Sequence, residues 1–173
     1  MFIDINEIGP EGISFDHELD LSSVTGDGPD SLRVLGARLD GRVEPGDHRV
    51  ILRARLRAKV ELACSRCTEP FEVDLLASFQ LTLVPEATEF AAGEARVADE
   101  DASLFYTREG KASLVQIASE QIYLNLPLKP ICKEGCKGLC PDCGANRNWT
   151  DCRCARESVD PRLAPLLQFK KRR

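Results

Sequence analysis

The central part of the chain alternates between apolar and polar residues with a period of two. From residue 50 to 64 (VILRARLRAKVELAC), aliphatic side chains and one thiol share one face, and charged side chains share the other. A second alternation runs from Phe71 to Leu83. This period is typical of strands that bury one face. The two runs predict an antiparallel hairpin with its tip at residues 64–70, and the run over 32–43, closed by EPGD, predicts another strand of that sheet.

A single helix is predicted after the sheet. Ser113 and Gln116 have the spacing of a capping box, and an apolar stripe from Leu114 to Ile122 follows them. Pro127 is expected to end this helix, since proline cannot continue it. The intervening residues 85–112 are acidic and lack periodicity, so we interpret them as a mobile loop or linker.

These elements predict an α+β fold with one domain over residues 1–173. We expect an antiparallel β-sheet, partly closed and barrel-like, with one main helix and a C-terminal cysteine-rich zinc-binding segment. The predicted segments are an acidic N-terminal segment (1–31), the sheet (32–84), the acidic loop (85–112), the helix (113–126), the cysteine-rich zinc segment (129–157) and a basic tail (158–173).

Composition narrows the cellular setting. The 173 residues suffice for a core without covalent crosslinks, and no apolar run reaches the roughly 18–20 residues of a membrane span. The first residues, MFIDINEIGPEG, lack the pattern of a secretory signal, so we expect a cytoplasmic protein without a membrane partner. Thiols stay reduced there, so the eight cysteines are interpreted as metal ligands before disulfides.

The net charge of −5 hides an uneven distribution. Residues 1–32 carry −8 and residues 68–113 carry −7, whereas residues 33–67 and 114–173 carry +5 each. Two basic segments can form positive patches whatever the sign of the whole chain. The alternative is that acidic and basic strands pair across a sheet.

The cysteines occur as four close pairs. The CPDCG sequence at 140–144 is the most specific, because its glycine permits a tight turn in which two thiolates converge on one ion. The spacing allows two four-thiolate zinc sites, formed by Cys64, Cys67, Cys132 and Cys136 and by Cys140, Cys143, Cys152 and Cys154. It equally allows one site formed by Cys132, Cys136, Cys140 and Cys143. We therefore expect one or two structural Zn²⁺ ions. The alternative is that Cys64 is a buried apolar residue and Cys67 an ordinary thiol.

The basic residues of the second strand predict an RNA surface. Alternate residues of a strand lie about 6.5–7 Å apart, which is close to the spacing of successive phosphates, so a row of cations can follow an RNA backbone. Trp149 could stack a base, although a lone tryptophan beside a zinc site more often packs over that site. The candidate nucleic-acid residues are Arg53, Arg55, Arg57, Lys59, Arg66, Arg147, Trp149, Lys170, Lys171, Arg172 and Arg173. Glu72 and Asp74, on the neighbouring strand, are positioned to neutralise part of this row.

The sequence contains no group of residues that is typical of a catalytic site. The two histidines, His17 and His48, lie in polar segments, and the chain has no nucleophile elbow, phosphate-binding loop or H-E-x-x-H motif. Abundant thiolates would close the coordination sphere of a zinc ion. We therefore expect a protein that is not an enzyme and has no small-molecule substrate.

The order of motifs resembles the YceD family. It is carried by CSRCTEPF (64–71), CKGLCPDCGANRN (136–148), CRC (152–154) and DPRLAPLLQFKKRR (160–173). The resemblance implies a role in accumulation of the large-subunit (23S) ribosomal RNA of bacteria, with relatives in plastids and a gene beside that of a large-subunit ribosomal protein. It places the family's most widespread motif on Cys64, Arg66, Cys67 and Phe71 and implies that only part of the family has the later cysteines.

Three functional hypotheses follow. The first is a non-enzymatic factor that binds ribosomal RNA or a preribosomal particle, with zinc as a structural clamp. The second is a protein-interaction module whose acidic segments escort a basic large-subunit ribosomal protein. The third is a thiol redox protein or zinc sensor, which is disfavoured because a hairpin tip offers no helix N-terminus to lower a thiol pKa.

Overall fold

The alternating segments of the chain form strands. The computed structural model describes residues 1–21, 32–46, 49–85 and 103–154. Its elements are β1 (Phe2–Asp4), a 3₁₀ turn (Ile5–Glu7), β2 (Ile13–Leu19), β3 (Arg33–Gly46), β4 (Arg49–Ala63), β5 (Pro70–Pro85), β6 (Leu104–Thr107), β7 (Lys111–Ser113) and α1 (Leu114–Asn125).

Five strands form one sheet in the order β2-β3-β4-β5-β6, and β1 pairs with β7 in a separate two-stranded sheet. Strands β2 to β5 are antiparallel neighbours. The β4–β5 register runs from Val50 opposite Leu83 to Ala63 opposite Pro70, which confirms the predicted hairpin and its tip. Strand β6 adds to β5 in parallel, so the sheet is mixed and not purely antiparallel as expected.

The sheet is not closed, and the barrel-like expectation is wrong. Within the described part of the chain, β2 and β6 are the two edges of the sheet and do not pair with each other. A barrel covers its inner face by closing the sheet on itself. Here helix α1 packs against β3, β4 and β5 and contributes to the same apolar core, so burial of that face does not require closure.

The apolar core lies on the inward face of the sheet. Leu39, Leu52 and Leu56 are fully buried there, and the alternating charged residues of β4 are exposed, as the period of two predicts. Helix α1 adds Ile117 and Ile122, which are also fully buried. Removing such aliphatic side chains from water contributes roughly 1.5–3 kcal/mol each.

Helix α1 begins where its cap was predicted. The hydroxyl of Ser113 accepts a hydrogen bond from the Gln116 backbone N–H at 3.3 Å. The Gln116 side chain donates to Glu120 at 2.9 Å. The helix ends at Asn125, two residues before Pro127.

Part of the segment interpreted as a loop forms strands. Strands β6 and β7 lie within residues 104–113, and Phe105, Thr107 and Ala112 are buried. Four- and three-residue strands are too short to give a visible period, which explains the difference. The remainder of the predicted loop, 86–102, and the basic tail, 158–173, lie outside the described residues.

The contacts divide the chain into two compact units. One comprises the described residues of 1–65 and 69–132 and contains both sheets and the helix. The other comprises residues 66–68 and the described residues 133–154. Within the described ranges, no helix combines the length and apolar composition that a membrane span requires.

Two glycines of β3 provide a test of how closely β3 and β4 pack. A methyl group on Gly41 would collide with the carbonyl oxygen of Arg53 and lie 2.8 Å from the Cβ atom of Ala54, whereas one on Gly36 would meet no heavy atom within 4 Å. We predict that Gly41→Ala lowers the free energy of unfolding by about 1–3 kcal/mol, because the strands must separate. Gly36→Ala is the matched control and should change stability by less than about 0.5 kcal/mol. Urea unfolding measures both, and equal effects would contradict this account.

Candidate metal centres and nucleic-acid interface

The tip of the β4–β5 hairpin is a tight turn with two cysteines. The backbone N–H of Cys64 donates to the carbonyl oxygen of Glu69 at 2.9 Å, which closes the turn. Thr68, directly after Cys67, has a φ of +61°, in the left-handed region that residues other than glycine rarely adopt. The hydroxyl of Thr68 donates to the Cys67 carbonyl at 2.7 Å.

The CPDCG segment repeats this turn. The N–H of Cys140 donates to the carbonyl oxygen of Ala145 at 2.8 Å, again five residues on, and Gly144 has a φ of +72°. Gly144 thus supplies the tight backbone that the sequence predicted. Both C-x-x-C segments therefore place their two cysteines on turns of the same kind, each followed by one left-handed residue.

The eight sulfur atoms fall into two groups. Within each group, all four lie within 4.8 Å of one another. Four sulfur atoms that coordinate Zn²⁺ tetrahedrally at about 2.3 Å would lie about 3.8 Å from one another, so both groups are compatible with this coordination. The groups are Cys64, Cys67, Cys132 and Cys136, and Cys140, Cys143, Cys152 and Cys154. This is the two-site arrangement among those that the spacing left open.

Hydrogen-bond donors point at sulfur atoms of the first group. The backbone N–H of Cys132 donates to Sγ of Cys64 at 3.4 Å, and the side-chain amide of Asn148 donates to Sγ of Cys136 at 3.4 Å. The Asn148 amide also donates to Oδ1 of Asn146 at 2.8 Å, which orients it. Such donors stabilise the negative charge of thiolate ligands and fix their direction.

The second group already favours one thiolate. The backbone N–H groups of Cys143 and Asp142 lower the pKa of Cys140 to about 6. A hydrogen bond with Cys143 raises the pKa of Cys154 to about 12, and one with Cys140 raises the pKa of Cys152. One negative charge is thus held by amide donors, and neighbouring thiols are disfavoured from adding another. A divalent cation would allow further thiols to ionise, because its positive charge compensates the repulsion between neighbouring thiolates.

Arg66, in the turn between Cys64 and Cys67, contributes to the cysteine-rich unit. Its Nη1 atom donates to the carbonyl oxygens of Cys136 at 3.0 Å and Glu134 at 3.4 Å. Its own carbonyl oxygen accepts from the N–H of Leu139 at 3.0 Å. A side chain on Gly138 would lie 2.9 Å from that same oxygen. Arg66 therefore organises the backbone between Cys136 and Cys140.

The basic row on β4 is exposed and paired with carboxylates. Arg53 contacts Glu44 at 2.7 Å, and both Arg55 and Arg57 contact Asp40 at 2.8 Å. Lys59 contacts Glu72 at 3.3 Å, which is one of the two neutralising residues that the sequence indicated. The four cationic side chains nevertheless remain at least half exposed. Surface pairs of this kind are weak and can exchange partners.

Trp149 is exposed, so it is not a core residue that packs over a group of cysteines. Its side chain is 78% exposed, and Nζ of Lys133 lies 5.8 Å from the ring centroid. The Trp149 N–H donates to the carbonyl oxygen of Asn146 at 3.1 Å, and the Arg147 N–H donates to that of Gly138 at 2.9 Å. These bonds hold the turn that presents the indole.

The four basic residues of the tail, 170–173, lie outside the described residues.

Several residues of the charged face were not identified from the sequence. Arg42, Asp40 and Glu44 lie on β3, and the register places Arg42 directly opposite Arg53 and Asp40 opposite Arg55. The alternation of β3 could have shown that these residues share a face, but not which residues of β4 they oppose. Leu76 is a further omission, since it interrupts the polar face of β5 and is 78% exposed.

Comparison with known proteins places this arrangement in a family. The chloroplastic homolog 1 of the large ribosomal RNA subunit accumulation protein YCED from Arabidopsis thaliana is 28% identical over 132 residues, covering 64% of this chain and 41% of the relative. The Zea mays protein of the same name is 30% identical, covering 64% and 45%. An uncharacterized protein of Mycobacterium tuberculosis is 30% identical, covering 76% and 60%.

The chain spans less than half the length of the two plant relatives. No solved structure matches it. The model of one protein family, described as large ribosomal RNA subunit accumulation protein YceD, matches residues 52–170, which include most of the β4–β5 hairpin and both groups of cysteines. This chain therefore belongs to the YceD family.

Proposed function

We propose that this chain is a non-enzymatic, cytoplasmic ribosome-biogenesis factor. It supports synthesis, processing or accumulation of large-subunit ribosomal RNA by binding that RNA or a preribosomal particle. The family's description supports the link to ribosomal RNA. The observation that carries the proposal is the presence of two groups of four thiols, because four sulfur ligands leave no open coordination position for a substrate. The metal would thus be structural, and the function would be binding.

Zinc would stabilise a segment that has little else to hold it. The described residues from 129 to 154 contain no helix or multi-residue strand, and their regular pairing is the bridge between Leu139 and Asn146. Short, irregular segments with few apolar residues need such a crosslink to fold. When bound, the ion would supply that crosslink, and the amide donors near Cys64, Cys136 and Cys140 would stabilise its thiolate ligands.

The proposed RNA contacts combine charge with one aromatic ring. The exposed arginines of β4 suit phosphate groups, because a guanidinium binds phosphate through two parallel hydrogen bonds. The exposed indole of Trp149 suits an unpaired base. Of the residues predicted from the sequence, those proposed to take part are Arg53, Arg55, Arg57, Arg66, Arg147, Trp149, Lys170, Lys171, Arg172 and Arg173, and Lys59 is left out because Glu72 pairs with it one to one. Arg66 would contribute chiefly through the backbone that it holds.

The proposed metal sites predict a stoichiometry. Elemental analysis of the purified chain should give two Zn²⁺ ions. Cys143→Ser and Cys132→Ser should each retain one, because each substitution affects a different group of thiols. The double variant should retain none. Lowering the pH should release the metal, since protons compete with it for the thiolates. A wild-type chain without zinc, or one substitution that removes both ions, would contradict two independent sites.

The proposed base contact can be followed by fluorescence, because Trp149 is the only tryptophan in the chain. Adding a single-stranded fragment of large-subunit ribosomal RNA should quench its emission. With labelled RNA as the reporter, because the variants lack the indole, Trp149→Ala should weaken binding by about 1–3 kcal/mol. Trp149→Phe should restore most of the loss, because a phenyl ring can also stack a base. The zinc content of both variants serves as the folding control.

RNA binding without quenching, or with unchanged affinity in Trp149→Ala, would show that Trp149 does not contact bases.

Affinity capture with and without nuclease distinguishes direct RNA binding from escort of a ribosomal protein. Recovery of basic ribosomal proteins that survives nuclease treatment would indicate the escort function and not direct RNA binding.

A further inference from the structure

The ratio of cations to carboxylates differs between the two ends of the charged face of the sheet. At one end, four arginines share two carboxylates. Glu44 pairs with Arg42 at 2.9 Å and with Arg53 at 2.7 Å, whereas Asp40 pairs with Arg55 and Arg57, both at 2.8 Å. Among the described residues, these ion pairs leave an excess of two positive charges. We call Arg42, Arg53, Arg55 and Arg57 the four-arginine cluster.

The other end of the face lacks this excess. Arg38 pairs with Asp16 at 2.6 Å and Lys59 pairs with Glu72 at 3.3 Å, each one to one. The Arg38–Asp16 contact has two hydrogen bonds, which lower the pKa of the Asp16 carboxyl. A cavity of about 580 Å³ at this end is lined by Arg38 and Lys59, by Arg57 of the cluster, and by the additional carboxylates of Glu18 and Asp74. Phosphates would meet additional carboxylates here.

The cluster places like charges directly opposite each other. Arg42 lies across from Arg53 in the β3–β4 register, and Arg57, at the border of the cluster, lies across from Arg38, which is not a member. Like charges at directly opposed positions are destabilising in a sheet. Ion pairing with Glu44 and Asp40 relieves the repulsion only in part, because each carboxylate carries one negative charge for two cations. A bound anion would complete the neutralisation.

The guanidinium groups are held in place but remain accessible. Arg53 donates to Oε1 of Gln80 at 3.0 Å, and Arg42 donates to Oγ of Ser14 at 3.2 Å and to the carbonyl oxygen of Glu11. The side chains of Arg42, Arg53, Arg55 and Arg57 are 50–73% exposed. Asp40, in contrast, is 14% exposed, so it orients two arginines without itself facing an approaching anion fully. Preoriented guanidinium groups lose less conformational entropy when they bind phosphate.

We infer that the four-arginine cluster is the part of the sheet that contacts the RNA phosphate backbone, and that Lys59 and Arg38 are not. This inference rests on the proposed function, since it assumes that the chain binds RNA directly. Relative to the basic row predicted from the sequence, it adds Arg42 and leaves out Lys59. The cluster would engage about two phosphates without reading sequence, because phosphate contacts carry no base information.

Two double variants with the same change in charge test the inference. Arg53→Gln with Arg55→Gln removes the excess while leaving Glu44 paired with Arg42 and Asp40 paired with Arg57. Arg38→Gln with Lys59→Gln is the control, which removes two cations from the balanced end. Binding of a large-subunit ribosomal RNA fragment is measured over a range of salt concentrations, with thermal unfolding to verify that both variants fold.

The cluster variant should bind roughly tenfold or more weakly, and the slope of log K against log salt should fall by about 1.4–1.8, because about two phosphate contacts are lost. The control should bind within about twofold of wild type. Equal weakening of both variants would overturn the inference, since only total charge would matter. Unchanged binding by both would overturn it too while leaving the proposed function intact, whereas a wild-type chain that binds no RNA would overturn both.

Discussion

The antiparallel pairing of β4 with β5 is the constraint on which the other features of the chain depend. Its register runs without a shift from Val50 opposite Leu83 to Ala63 opposite Pro70. Because successive side chains of a strand point to opposite faces, one register sends the leucines of both strands into the core and the charged residues outward. The same register places Cys64 and Cys67 in the connecting turn. A slip by one residue would bury the arginines of β4 and expose its leucines.

The outward face of this sheet shows why a row of basic residues is not in itself a positive surface. Every cation of the β4 row has a carboxylate partner on a neighbouring strand. The sign of the face therefore depends on how many cations share each carboxylate. Where Asp40 and Glu44 each serve two arginines, positive charge remains, and where Asp16 and Glu72 each serve one cation, it does not. This local ratio is more informative about an anionic partner than the net charge of −5.

The cysteine-rich segment is organised by backbone hydrogen bonds and by its thiols, and not by the packing of large apolar side chains. Its turns are closed by backbone hydrogen bonds at Cys140 and Gly144, and the left-handed Gly144 directs the chain after the C-x-x-C pair at 140–143. Few large apolar side chains are available there, and Trp149 is mostly exposed. The geometry of the thiols is consequently the main organising feature of the segment. An exposed aromatic residue is then available for binding instead of packing.

Periodicity along the chain was sufficient to predict β3, β4, β5 and α1, the cap at Ser113 and the face that each strand buries, because these depend on neighbours in sequence. Spacing between cysteines was sufficient to predict pairs that could bind metal. Neither could predict the short strands β6 and β7, since three or four residues show no period, or that helix α1 covers the sheet in place of barrel closure. The two groups of thiols and the sharing of Asp40 and Glu44 were decided only by tertiary structure. Contacts between residues far apart in sequence depend on register and on how the chain returns, and local patterns do not contain that information.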